Sequence, residues 1–217
     1  MRVIVIANGH VGNSEASRVQ NWPYDCVICA DGGAQHALGL GLAPDVVVGD
    51  LDSLDGDLRA RLEDEGCQVL VHPPRKDETD LELALRYAID HGVDEILILG
   101  ALGGRIDQTL ANILLLALPE LQKVKTRIVA GDQEMFLIRG QAFIEGQVGD
   151  TVSLLPIAGD VRGITAEGLE YPLQHGTLKF GPTLGISNVL TAPVARVQVR
   201  QGLLLCVHIS SGKENGE

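Results

Sequence analysis

The feature that most constrains this chain is a set of six short apolar runs, RVIVIA, DCVICA, DVVVGD, QVLVHP, EILILGA and TRIVAG, that alternate with helical patterns up to about residue 131. A run such as Val46-Val47-Val48 has no polar side to offer water, so it belongs inside a sheet covered on both faces, as parallel strands with crossover helices are. Helical periodicity is clearest in TDLELALRYAIDHG, where Leu81, Ala84, Leu85, Ala88 and Ile89 share one side and Gly92 follows as a stop. A second helix is expected over RIDQTLANILLLAL, with Ile106, Leu110, Ile113, Leu114 and Ala117 buried and Pro119 ending it. Residues 1–131 therefore read as an α/β domain with a mostly parallel, Rossmann-like sheet.

From residue 132 onward the pattern changes to short strands between glycine turns: EMFLIRGQAFIEG, DTVSLLPI, VRGITAEGLEYPL, GTLKFGP and VQVRQGLLLCVHIS. No convincing helix is expected there, so residues 132–217 read as a separate all-β domain, a small sandwich or barrel, with SGKENGE as a frayed end. Neither an internal repeat nor a low-complexity linker separates the two.

At 217 residues and 45% hydrophobic content the chain can bury a sizeable core, which must be aliphatic because only 3% of residues are aromatic. Scarce aromatics and a formal charge of -12 exclude a nucleic-acid reader, which needs stacking platforms or a basic face. Cys26 and Cys29 have C-x-x-C spacing, but inside an apolar run rather than at a helix start, so they read with Cys67 and Cys206 as core thiols. No stretch is apolar and long enough for a membrane span or a leader, and a cytoplasmic protein without membrane partners is expected.

Phosphate-binding G-x-x-x-x-G-K-[ST], dinucleotide G-x-G-x-x-G and zinc-type H-E-x-x-H patterns are all missing. What remains is a series of acids where strands end. Strand two finishes in ADGGA, with Asp31 leaving the sheet and Gly32 and Gly33 letting a helix start close to an anion. Strand three finishes in GDLDS, where Asp50 and Asp52, two residues apart, are expected to point to the same side. Two such carboxylates repel unless a proton or a cation joins them, and hard ions such as Mg²⁺ take oxygen ligands. RKDETD follows strand four; Asp77, Glu78 and Asp80 there also suit a helix dipole, while Arg75 and Lys76 suit a polyphosphate. After strand five, GALGGRIDQTLANI sets Arg105 directly behind two glycines, able to fork onto phosphate oxygens, with Asp107, Gln108 and Asn112 off the apolar stripe. Each piece alone is an ordinary turn or helix start. Together they put acids and Arg105 on the carboxyl edge of one sheet, where open α/β folds bind ligands, and a polyphosphate site is expected there.

ADGGA, GDLDS, KDETDLELAL and GALGGRIDQTLANI, with GLEYPL and GISN in the β domain, resemble the motifs of thiamine pyrophosphokinases, in order over nearly the whole chain. The resemblance implies an α/β domain holding Mg²⁺-ATP, a C-terminal β-sandwich that binds thiamine, and a homodimer with active sites between subunits. It implies transfer of the pyrophosphoryl group of ATP to the hydroxyethyl oxygen of thiamine, giving thiamine pyrophosphate and AMP. Carried over, Asp50, Asp52, Asp80 and Asp107 are the expected catalytic acids, the first three of them metal ligands. Asp31, Gly32, Lys76, Arg105 and Gln108 are expected at the nucleotide, and Gly185, Ser187 and Asn188 at thiamine. Two positions depart from animal members: Leu83 stands where they carry a lysine, and the single tryptophan is Trp22 rather than a residue near the C-terminus. Two other readings of the residues stay open: a different Mg²⁺-dependent phosphotransferase or phosphohydrolase, and a module that binds nucleotide or thiamine without turnover.

Overall fold

A computed structural model describes residues 1–211, apart from the side chain of Asn13; the expected frayed tail lies, except for Ser211, outside the described residues. The chain divides into two compact units, one ending at Gly131 and one starting at Asp132.

The first unit runs β1 (Arg2–Ile6), α1 (Asn13–Gln20), β2 (Cys26–Ala30), α2 (Gly33–Gly39), β3 (Val46–Gly49), α3 (Gly56–Asp64), β4 (Gln68–Val71), α4 (Asp80–Asp90), β5 (Glu95–Leu99), α5 (Ile106–Leu115) and β6 (Lys125–Ala130). The six strands are those expected. They lie in the order β6-β5-β1-β2-β3-β4, and every pairing among them is parallel. Val46, Val47 and Val48 are at most 5% exposed, which is why this strand has no polar side. Strand order reverses between β1 and β5, so their carboxyl ends mark the crevice where such sheets take ligands.

Helix α4 forms where its periodicity placed it. Thr79 Oγ1 accepts the Glu82 amide at 3.2 Å as an N-cap, Leu81, Ala84, Leu85 and Ala88 are buried, and Gly92 leaves the helix at φ +74°. Helix α5 corrects the sequence reading. Ile106, Leu110 and Leu114 are 77%, 57% and 54% exposed, while Asn112 is buried. The helix turns inward a side chain that ties down the loop after β5: Asn112 Nδ2 donates to the Ala101 carbonyl at 2.7 Å, and Thr109 Oγ1 accepts the Gly103 amide of the same loop at 3.3 Å. Periodicity alone put the whole stripe inside; Ile106, Leu110 and Leu114 instead face outward, while Ile113 and Ala117 are half-buried.

Trp22 packs against the core of this unit. Cys29, Cys67 and Cys206 are buried and Cys26 is half-buried, and none of the four forms a disulfide among the described residues. Burial, aided by the nearby Asp45 carboxylate, pushes Cys26 and Cys67 up to about 11, so both stay protonated and unreactive at neutral pH. Among the described residues no helix is long and apolar enough to cross a membrane.

The second unit contains β7 (Gln133–Ile138), β8 (Gln141–Glu145), β9 (Thr151–Pro156), β10 (Val161–Glu167), β11 (Leu173–Leu178), β12 (Asn188–Val189), β13 (Val194–Gln198) and β14 (Leu204–Ile209). Within it β12-β9-β14-β7 and β11-β10-β13-β8 form two antiparallel sets. Both sets send aliphatic side chains into one core, from Val152 and Leu204 on one side and Ile164 and Val197 on the other. Near its edge Asp150 is 2% exposed yet fully answered: it accepts from Gln147 N (2.9 Å), Ser211 N (2.8 Å) and Ser211 Oγ (2.7 Å), and lies 2.9 Å from His208 Nε2.

Candidate active site

A cleft of about 1050 Å³ opens at the carboxyl edge of the parallel sheet, lined from the ends of β1, β2, β3 and β5 and from the starts of α4 and α5. Its walls include Asp31, Asp50, Asp52, Lys76, Asp80, Arg105 and Gln108, so side chains up to 77 positions apart in sequence converge on one space.

Backbone conformation explains the convergence better than strand alternation does. β3 stops at Gly49, so Asp50 and Asp52 lie beyond the strand, and the expected two-residue alternation is not what aligns them. Leu51 between them takes the left-handed conformation at φ +63°, and the Asp52 amide donates to Asp50 Oδ1 at 3.3 Å. Asp31 is also left-handed, at φ +47°. Non-glycine residues hold that conformation at a cost of about 1 kcal/mol or more, and such strain gathers at functional sites. Gly49 lets the acids close in: a Cβ there would stand 3.1 Å from both Asp31 Cβ and Asp80 Oδ1.

Asp31, Asp50 and Asp52 each offer one carboxylate oxygen, and these lie within 4.8 Å of one another. Asp31 is 6% exposed, and its Oδ1 is buried without a hydrogen-bond partner among the described residues. A buried anion with an unanswered oxygen is costly unless a cation or a donor reaches it. Three hard oxygens around that gap fit a divalent ion such as Mg²⁺. Asp80, the third expected ligand, lies outside that oxygen group and against Lys76, whose Nζ is 2.7 Å from Asp80 Oδ1 and 4.0 Å from Asp50 Oδ2.

On the opposite wall, Gly103 (φ +109°) and Gly104 (φ +65°) bend the chain so that Arg105 caps the start of α5, with its side chain 72% exposed. Arg105 Nε donates to Asp107 Oδ1 at 3.1 Å, and this bond holds the Asp107 carboxyl below the usual carboxylate range. Asp107 is exposed and is not among the residues lining the cleft, whereas Gln108 is. Gly32 is buried behind Asp31, where a Cβ would meet the Asn8 side chain at 2.6 Å.

The β unit carries the other expected residues. Gly185 lies where a Cβ would strike the Leu154 carbonyl oxygen at 2.1 Å, and Ser187 is left-handed at φ +59°, its amide donating to Ser153 Oγ at 3.0 Å. Asn188 is occupied in structure: Nδ2 donates to the Tyr171 carbonyl (2.9 Å) and Oδ1 accepts the Tyr171 amide (3.0 Å), which holds the Leu169–Tyr171 turn.

Sequence reading missed Asn8, Gly9 and His10, which line the cleft after β1. The signal was present as Asn-Gly directly behind an apolar strand, the same small-polar-plus-glycine pattern as Asp31-Gly32. Gly9 is required because a Cβ there would stand 2.3 Å from the Gly100 carbonyl oxygen.

Two family models match the chain: "Thiamin pyrophosphokinase, catalytic domain" over residues 20–130, and "Thiamin pyrophosphokinase, vitamin B1 binding domain" over residues 143–204. The chain is 32% identical over 182 residues to thiamine pyrophosphokinase of Bacillus subtilis (strain 168), covering 83% of this chain and 85% of that protein. Its fold is similar to the crystal structure of thiamine pyrophosphokinase from Bacillus subtilis, with a TM-score of 0.85, 27% identity, and coverage of 98% of this chain and 100% of the other. Thiamin pyrophosphokinase from Candida albicans shares the fold at a TM-score of 0.79 with 20% identity, covering 96% of this chain and 88% of the other.

Proposed function

The chain belongs to the thiamine pyrophosphokinase family, and from that premise we propose that the acidic cleft of its α/β unit holds ATP and a divalent cation during pyrophosphoryl transfer to thiamine. The function is that of a thiamine pyrophosphokinase, an enzyme that makes thiamine pyrophosphate and AMP from thiamine and ATP. The observation that carries the site reading is the Asp31–Asp50–Asp52 oxygen group, one of whose oxygens is buried and unanswered. We read the parallel sheet as Rossmann-like in its use, with the ligand at the carboxyl edge beside the β1/β5 reversal.

In the reaction the hydroxyethyl oxygen of thiamine bonds to the β-phosphorus of ATP, the bond from that phosphorus to the α–β bridging oxygen breaks, and AMP leaves with that oxygen. Asp31, Asp50 and Asp52 would hold Mg²⁺, which when bound supplies positive charge against the phosphate oxygens. Arg105, exposed on the cleft wall, forks onto a phosphate, and Lys76 meets another with its ammonium. Gln108 supplies an amide to the nucleotide. Asp107, held ionised by Arg105, is a weak proton acceptor, and a loose phosphoryl-type transition state asks little of a base. Positioning and charge cover therefore supply most of the acceleration, and the hydroxyl proton passes late, once the oxygen–phosphorus bond has largely formed, to solvent water.

Gly185, Ser187 and Asn188 are proposed at thiamine, where the acidic character of the protein also favours a cationic substrate. A homodimer with active sites between subunits is part of this reading; the exposed Ile106, Leu110 and Leu114 on α5 supply an apolar surface for a second subunit to cover. Four cysteines without a disulfide among the described residues support a reducing, cytoplasmic setting. The test is Asp50→Asn and Asp52→Asn, each expected to lower turnover at least about 100-fold with an unchanged circular dichroism spectrum. Near-normal turnover in both variants would remove the metal-site assignment.

A further inference from the structure

Lys76 sits where the acids are densest. Its ammonium lies 2.7 Å from Asp80 Oδ1 and 4.0 Å from Asp50 Oδ2, with the side chain only 12% exposed. Despite that closeness the Asp80 contact lacks hydrogen-bond angles, so Lys76 Nζ and Asp80 Oδ1 are both buried without a hydrogen-bond partner. What holds them is charge alone. A lysine ammonium is a compact point charge with three donors, and here none of the three meets an acceptor at hydrogen-bond angles among the described residues.

We propose that Lys76 is the resident counter-ion of the cleft: without nucleotide it answers Asp80 and Asp50 electrostatically and so lowers the affinity for a free divalent cation. The arriving triphosphate draws the ammonium onto its own oxygens and releases both carboxylates. This rests on reading the cleft as a metal–triphosphate site, and it adds an order of events, with metal binding tightly only together with nucleotide. The physical reason is direct. A bare divalent ion beside Asp50 faces the positive Lys76 a few ångströms away, whereas an ion bound to a triphosphate brings enough negative charge to reverse that repulsion. A lysine that only propped the loop before α4 would not make these two affinities move in opposite directions.

The experiment is calorimetric titration of Mn²⁺ into the full, nucleotide-free chain, followed by ATP in the presence of Mn²⁺, for the wild type, Lys76→Met, Lys76→Arg and Asp50→Asn. Lys76→Met is expected to bind Mn²⁺ about tenfold tighter and Mn²⁺-ATP about tenfold more weakly than wild type, and Lys76→Arg, which keeps the charge, to restore both within about threefold. Mn²⁺ affinity in Lys76→Met equal to or below wild type overturns the counter-ion role, provided that Asp50→Asn weakens Mn²⁺ binding. An Asp50→Asn protein that binds Mn²⁺ as wild type does overturns the cleft reading itself. Thermal melting guards against a misfolded variant: Lys76→Met should melt lower than wild type in chelator and recover on adding Mn²⁺, and failure to recover counts against the proposal.

Discussion

Asp31 and Asp150 are both almost wholly buried, one in each unit, and the chain treats them in opposite ways. Asp150 receives two backbone amides, a serine hydroxyl and a histidine nitrogen. Asp31 keeps a left-handed backbone and a buried oxygen with no donor. Burial works against the charge of Asp150, but the bonds from Ser211, Gln147 and His208 outweigh it and hold the carboxyl well below its ordinary range. The difference gives a way to separate a structural acid from the proposed metal ligand: the oxygens of Asp150 are all answered within the fold, whereas Asp31 Oδ1 is not answered by any described residue.

Exchanging the roles is the most severe test of that contrast. Asp31→Asn is expected to lower turnover about 1,000-fold, because the metal loses a charged ligand, while the metal-free melting temperature stays the same or rises as an unpaired buried charge is removed. Asp150→Ala should show the reverse, costing about 3 kcal/mol of stability in a urea melt by stranding His208 and three donors, with the turnover of the folded protein near normal. Equal effects of the two substitutions on either measurement would break the comparison.

Acid sharpens it further. The Asp150 carboxyl is depressed in the folded state, so its contribution is complete above its unfolded value of about 4 and is lost as pH falls through the folded value. The stability gap between wild type and Asp150→Asn, measured by urea melts between pH 7 and pH 2.5, should therefore narrow below about pH 4. A gap that stays constant over that range would show that the charge of Asp150 does not matter. The smallest effect belongs to the β unit. Ser187→Ala should raise the thiamine KM several-fold and leave the ATP KM within about twofold, since an exposed hydroxyl contributes about 1 kcal/mol; an unchanged thiamine KM would locate the substrate elsewhere.

How much of this was legible in the sequence depends on the range of the interaction involved. The six parallel strands were, because each is a contiguous β-branched run, and so was α4, whose cap, stripe and stop lie within 14 residues. The convergence of acids was legible as well, since the carboxyl ends of parallel strands must share an edge. The buried side of α5 was not. Asn112 and Thr109 bond the loop after β5 from that side, and a stripe of Ile106, Leu110 and Leu114 looks the same whether it meets the core or is left for another surface. Nor was the reason Asp50 and Asp52 lie together, because a left-handed leucine carries no composition signal. The pairing of Asp80 with Lys76 hides behind an ordinary helix start, and that of Asp150 with His208 spans 58 residues. Sequence placed the acids at the cleft; only the fold distinguishes Asp31, whose Oδ1 has no hydrogen-bond partner among the described residues, from Asp80, whose Oδ1 lies 2.7 Å from the Lys76 ammonium.

The central claim is that the acids of the α/β unit serve pyrophosphoryl transfer. The most direct test incubates the purified protein with thiamine, ATP and Mg²⁺ and follows the products by chromatography, with Asp31→Asn run beside it. The account predicts AMP and thiamine pyrophosphate in equal amounts from the wild type and almost none from the variant. Inorganic phosphate or ADP as the nucleotide-derived product, or undiminished AMP from Asp31→Asn, would contradict it.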